Sequence, residues 1–112
     1  MRQNLNLLQG TLDLLVLKAL GGGEAMHGYG VARWVREVTE GALEIEEGAL
    51  YTALHRMERR GWIASEWGLS DNNRRAKFYV MTAAGRRQLG AESSTWAQYV
   101  AAVEKVMRAE AS

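Results

Sequence analysis

The chain has no cysteine, which excludes a disulfide framework and a thiolate metal site. It has two histidines, His27 and His55. They fall in different segments, whereas a metal centre needs convergent ligands, so no metal is expected. No apolar stretch approaches the ~20 residues that cross a bilayer. The N-terminus lacks a basic region followed by an apolar run and a small-residue cleavage site, so no secretion signal is read there. A soluble, cytoplasmic protein with no membrane partner is expected. No Ser/His/Asp set, carboxylate pair with a plausible pocket or phosphate-binding glycine loop can be picked out. That disfavours an enzyme, and no cofactor is expected. Gly28 and Gly30 in HGYG read instead as a helix start and close packing, with His27 in a structural role.

Net charge is also small, +1 over 112 residues, which is little for a nucleic-acid binder. Its distribution is uneven. From His55 to Arg87 there are eight Lys/Arg against three acids, so that segment carries +5 and the remainder −4. The length fits one domain with an appended helix and a modest core, so self-association is a reasonable way to bury more surface.

The most informative stretch is EGALYTALHRMERRGWIASEWGLSDNNRRAKFYVMT, residues 47 to 82. At about 100° per residue, Leu50, Ala53, Leu54 and Met57 share one arc of a helix, and Thr52, His55, Arg56 and Arg59 share the other. Short hydrogen-bonding side chains come early on the polar arc and arginines late. A helix that reads a DNA groove needs this order, because its first turns approach base edges while flanking cations meet phosphates. Read alone, the same helix is equally an ordinary surface helix with a solvated charged face. Gly61 is its natural stop. Trp62 to Trp67 and Lys77 to Met81 then read as strands, rich in aromatic and β-branched residues. Ser70, Asp71, Asn72 and Asn73 form the turn between them. Arg74, Arg75 and Lys77 make a basic hairpin suited to phosphates or a minor groove rather than to mere solubility. A helix feeding such a hairpin is the local plan of a winged helix-turn-helix.

The flanking segments complete that plan. Residues 1–9 read as an arm or short helix, with Leu5, Leu7 and Leu8 as contact candidates. TLDLLVLKAL, Thr11 to Leu20, is apolar nearly all round, as in a helix buried on several sides. Gly21, Gly22 and Gly23 end it. A second helix is expected from about Gly28 to Thr39, and Leu43 to Ile45 as a short edge strand. The third helix should start near Glu46 or Glu47, where acids suit the dipole but lie close to where phosphates would sit. Thr82 caps a last long helix. Along it Leu89, Ser93, Trp96, Val100, Val103 and Met107 recur in steps of four and three, a heptad seam. A two-fold DNA reader would pack this seam on a second copy.

The stretches GTLDLLVLKAL, HGYGVARWV, EEGALYTALHRMERRGWI and NNRRAKFYVMTAAGRRQL resemble the PadR family of bacterial transcriptional regulators. The resemblance runs from about Gly10 into the final helix, with several blocks in order. It implies a mainly α (α+β) fold: a winged helix-turn-helix with a two-stranded wing over residues 1–82, and a long C-terminal dimerisation helix over residues 83–112. One short final helix matches the family's smaller subgroup. The resemblance also implies a homodimer and a repressor role. Tyr51 matches the family's third-helix pattern and is expected at the DNA backbone. Ala49 lacks the hydroxyl of many relatives, and Thr52 stands where proline is usual. Some relatives take flat aromatic compounds at the dimer interface through a tryptophan on the last helix, and Trp96 is similarly placed.

Double-stranded DNA carrying an inverted repeat is therefore the expected partner. Tyr51, Thr52, His55, Arg56, Arg59, Arg74, Arg75 and Lys77 are the DNA-binding candidates. Leu89, Trp96, Val100, Val103 and Met107 are the dimerisation candidates, and Trp96, Leu14, Leu17 and Tyr99 the candidates for a small aromatic effector. The competing class is a winged-helix protein-interaction module without DNA binding, supported by Glu44, Glu46 and Glu47.

Overall fold

The computed structural model describes Leu7 and residues 10–110. The other N-terminal contact candidates, Leu5 and Leu8, lie outside the described residues, while Leu7 packs against the core. The elements are α1 (Leu12–Leu20), β1 (Met26–His27), α2 (Gly28–Val38), α3 (Glu47–Arg59), β2 (Ile63–Leu69), β3 (Arg75–Met81) and α4 (Ala83–Arg108).

Helix α1 lies at the centre, touching α2, α3, α4 and β3. Its Val16, Leu17 and Leu20 are fully buried, as its lack of a polar face requires. Val31 and Val35 of α2, Leu50, Ala53, Leu54 and Met57 of α3, Ile63 of β2 and Tyr79 of β3 close the core around it. Each large apolar side chain buried here contributes roughly 1.5–3 kcal/mol. The wing strands β2 and β3 pair antiparallel from Ile63↔Met81 to Leu69↔Arg75. The third strand is not the expected Leu43–Ile45 segment. It is β1, which pairs with β3 through Met26↔Tyr79 and His27↔Phe78. In the Leu43–Ile45 segment only Leu43 makes a single β-bridge, and Ile45 is buried in the core.

Local chemistry fixes the ends of the helices that matter. The imidazole of His27 caps α2, its Nδ1 accepting from the Gly30 N–H at 2.9 Å. The carboxylate of Glu46 caps α3, accepting from the Gly48 and Ala49 N–H groups at 2.8 and 3.3 Å. Helix α3 ends in a Schellman turn: the Trp62 N–H donates to the Met57 carbonyl and the Gly61 N–H to that of Glu58, with Gly61 at φ +77°. The Thr82 hydroxyl accepts from the Gly85 N–H to start α4 and itself donates to the Gly61 carbonyl at 2.6 Å. The end of α3 and the start of α4 are thus tied at one point.

Candidate nucleic-acid interface

Burying Leu50, Ala53, Leu54 and Met57 forces the opposite side of α3 outward. Tyr51, Thr52, His55 and Arg59 are exposed there. Tyr51 also braces the helix pair, because its ring and hydroxyl lie 3.0 Å from where a Cβ on Gly28 would sit. Any Cβ at Gly28 would need the Tyr51 ring to give way by a few tenths of an ångström. Exposed Tyr29 stands one residue on, stacked near His27 and carrying Arg33 at 5.9 Å from its ring centre.

Arg56 departs from the expected face. Its guanidinium is turned to Asp13 of α1, and the pair is partly buried. A side chain held there locks α3 to α1 and is not free for a groove. Arg56 lies at the edge of the polar arc, where a long side chain can reach either way, and the Asp13 carboxylate draws it inward.

The wing continues the exposed surface of α3. Strand pairing puts Ser65, Trp67 and Leu69 opposite Tyr79, Lys77 and Arg75. Alternation places all six side chains on one face of the sheet. Near α3 this face is core, with Tyr79 buried. Burial, reinforced by the negative Glu58, raises the Tyr79 pKa and keeps its phenol neutral. Glu58 joins the two elements: it accepts from the Ser65 hydroxyl at 2.5 Å and lies 3.8 Å from the Lys77 ammonium. Beyond it Trp67, Leu69 and Arg75 emerge into solvent. Arg74, at the turn, is exposed, and its carbonyl accepts from the Ser70 N–H at 2.8 Å. The sequence reading missed Trp67 and Glu58. Their roles follow from register, which a hairpin's composition does not specify.

The acids at the start of α3 are less available to a partner than their charge suggests. Glu46 is engaged as the cap, which removes part of the support for a DNA-free interaction module. Among the described residues no group of three or more His, Asp or Glu side chains converges on a metal position, and no helix is long and apolar enough to cross a membrane.

Helix α4 has two parts. Its start belongs to the body: Gly85 is buried against Trp62, and Leu89 packs on the core beside Gly21. Leu89 is thus a contact within the chain, not part of a free seam, because its turn of α4 still lies over α1. Farther on, Trp96, Tyr99, Val103, Val106 and Met107 are exposed, from 37 % for Trp96 to 77 % for Met107, and Val100 is half-buried. A groove of about 580 Å³ runs between α1 and α4, lined by Leu14, Gln88, Glu92, Trp96 and Tyr99 among others. Trp96 and Tyr99 stack with ring centres 6.3 Å apart. Leu17 does not line the groove; it is fully buried in the core. One carboxylate oxygen of Glu92 is buried without a hydrogen-bond partner. Burial raises the Glu92 pKa, aided by Asp13 and opposed by a Gln88 hydrogen bond, Arg56 and Arg60.

Comparison with known proteins gives this architecture a family. A solved transcriptional regulator from Clostridium thermocellum is 27% identical with a TM-score of 0.78, over 87% of this chain and 90% of that one. A PadR family transcriptional regulator from Eggerthella lenta is 30% identical with a TM-score of 0.73, over 91% of this chain and 86% of that one. An uncharacterised protein from Lysinibacillus sphaericus is 27% identical over 94 residues, 83% of this chain and 84% of its own length. The sequence model of the PadR-like transcriptional regulators matches residues 16–91. That family regulates transcription and is not one of enzymes. With its core, wing and α3 all inside the matched span, this chain belongs to the PadR-like family of transcriptional regulators.

Proposed function

We propose that this regulator is a sequence-specific repressor that acts as a homodimer on an inverted-repeat operator. The observation that carries the reading is the continuous exposed surface formed by α3 and the wing. Tyr51, Thr52, His55 and Arg59 stand on the helix, while Arg74, Arg75 and Lys77 stand on the hairpin, which Glu58 fixes to that helix. The helix residues meet the major groove, and the wing cations meet phosphates or the minor groove. Residues 1–82 serve as the reading unit and 83–112 as the pairing unit. Pairing is supported by the apolar run along α4, where Trp96, Val103 and Met107 are exposed and Val100 is half-buried. Exposed apolar surface of this extent on one helix is what a second copy would cover.

A small flat aromatic effector enters the groove between α1 and α4, against Trp96, Tyr99 and Leu14. It relieves repression by favouring one spacing of the two reading heads, which requires that it bind that spacing better than the other.

The test is selection of duplexes from a randomised pool, footprinting of the winners and solution mass of the protein alone. The expected result is a dimer protecting two inverted half-sites about one helical turn apart, with affinity falling steeply as salt rises. A lone subunit that retains no duplex at low ionic strength would end the proposal.

A further inference from the structure

The wing holds a side chain that phosphate contact by cations alone does not call for. Trp67 is 56 % exposed, a large ring left in water on the very face that continues α3. Two cations close on it. The Arg75 guanidinium carbon is 4.6 Å from the indole centroid, and the Lys77 ammonium is 5.9 Å from it. Both distances are in the range where the ring's negative face attracts a cation. Register makes the cluster: Lys77 is the direct cross-strand partner of Trp67, and Arg75 is the diagonal one.

An aromatic ring and a carboxylate would both hold these cations, with opposite consequences. A carboxylate pins a cation and cancels its charge. An indole pins it and leaves the charge whole, with the guanidinium edge still free to donate. Long flexible cations also lose rotamer freedom when they settle on a phosphate, and side chains already settled lose less.

We propose that Trp67 is a positioning residue for DNA binding: its indole is the platform that holds Arg75 ready with its charge whole on the reading side of the wing, and it shares Lys77 with the Glu58 carboxylate, 3.8 Å from that ammonium. The inference rests on the DNA-binding reading given above. Trp67 acts on DNA through the two cations and not by contact of its own.

The experiment uses the full chain, a duplex selected by the parent protein from a randomised pool, and a mixed-sequence duplex of the same length. Trp67→Ala should weaken binding to both duplexes by roughly threefold to tenfold. Trp67→Phe should restore most of the loss, since a ring remains. Melting temperatures should match the parent's, because the indole is exposed. In a background carrying Arg75→Ala with Lys77→Ala, the further change Trp67→Ala should have no effect on affinity. Parent-like binding by Trp67→Ala overturns the proposal. So does an equal loss with and without the two cations, which would mean that the indole touches DNA itself. Failure of the parent to retain either duplex at low ionic strength is a separate result and removes the DNA-binding reading beneath it.

Discussion

Gly85 fastens α4 to the body, and Gly85→Ala tests how tightly. A Cβ there would lie 2.0 Å from the Trp62 carbonyl oxygen and 2.8 Å from Met81 Cγ, where real Cβ contacts stay beyond 3.0 Å. The Met81 side chain can turn away. The Trp62 carbonyl cannot, because it is backbone and accepts from the Thr82 N–H at 3.0 Å. The first turn of α4 must therefore move by about an ångström, against a Thr82 cap that ties it to Gly61. Overpacking of this kind costs about 1–3 kcal/mol, and a clash with backbone belongs at the upper end. Alanine's better helix propensity offsets up to about 1 kcal/mol of that. The net expectation is a loss of about 2 kcal/mol.

The same substitution little more than a turn away supplies the control. Gly90 is exposed, and a Cβ there meets nothing within 4 Å. Gly90→Ala should gain about 1 kcal/mol from propensity alone. The two variants should thus differ by about 3 kcal/mol, or on the order of 12 °C in Tm for a domain of this size. Thermal and urea melts must be run at one fixed protein concentration, because the stability of a self-associating protein depends on it. If Gly85→Ala melts at or above the parent, the close approach of α4 to Trp62 is wrong, and with it the anchoring of the last helix.

Other substitutions separate fold from recognition. Arg56→Ala should lower stability on the order of 1 kcal/mol by releasing Asp13 while leaving sequence preference unchanged. Thr52→Ala should do the reverse, and a duplex selection beside a urea melt tells them apart. Arg75→Ala should weaken binding to all duplexes alike and reduce the salt slope by about 1, read from affinities across a salt series. Val103→Asp should leave a folded single subunit, seen as halved solution mass with unchanged helical circular dichroism. Glu92→Gln addresses pH. Burial holds the Glu92 pKa above the ordinary 4.5, so between those two values the folded chain binds more protons than the unfolded one. The parent's stability contribution from this group is full below pH 4.5 and is lost as pH rises through the raised value. The variant should therefore melt above the parent at neutral pH, with the gap closing on acidification; a gap that persists at low pH contradicts the burial of this carboxylate, one oxygen of which has no hydrogen-bond partner.

How much of this was legible in the sequence depended on the range of the interaction. Helix limits and caps were legible because they are set within four residues: Thr82, Gly61 and the buried arc Leu50, Ala53, Leu54 and Met57 need no tertiary knowledge. The core face of a strand was not, because β2 and β3 carry apolar residues on both sides. One face is covered by α3, and the other carries Phe78 and Val80 near Ala25, in a shallow hollow. Two residues have no period, so Met26–His27 cannot be read as a strand from sequence; only pairing with β3 makes it one.

The misplaced side chains share one cause. The polar arc of α3 places Arg56, and the heptad spacing of α4 places Leu89, on faces that the structure shows to be shared with a neighbour. A central helix such as α1 meets several elements around its axis, so angle alone cannot say which partner a residue faces. Arg56 turned inward because Asp13 waited on α1, and Leu89 because α4 is still over the body at that turn. The same logic explains what survives of the reading surface. Thr52, His55 and Arg59 stay outside because the opposite side of α3 is the one buried in the core, and Tyr51 is exposed beside them while its ring touches Gly28 of α2. In a small winged fold the face left uncovered by packing is the face available for a partner, and here it is the one bordered by Arg75 and Lys77.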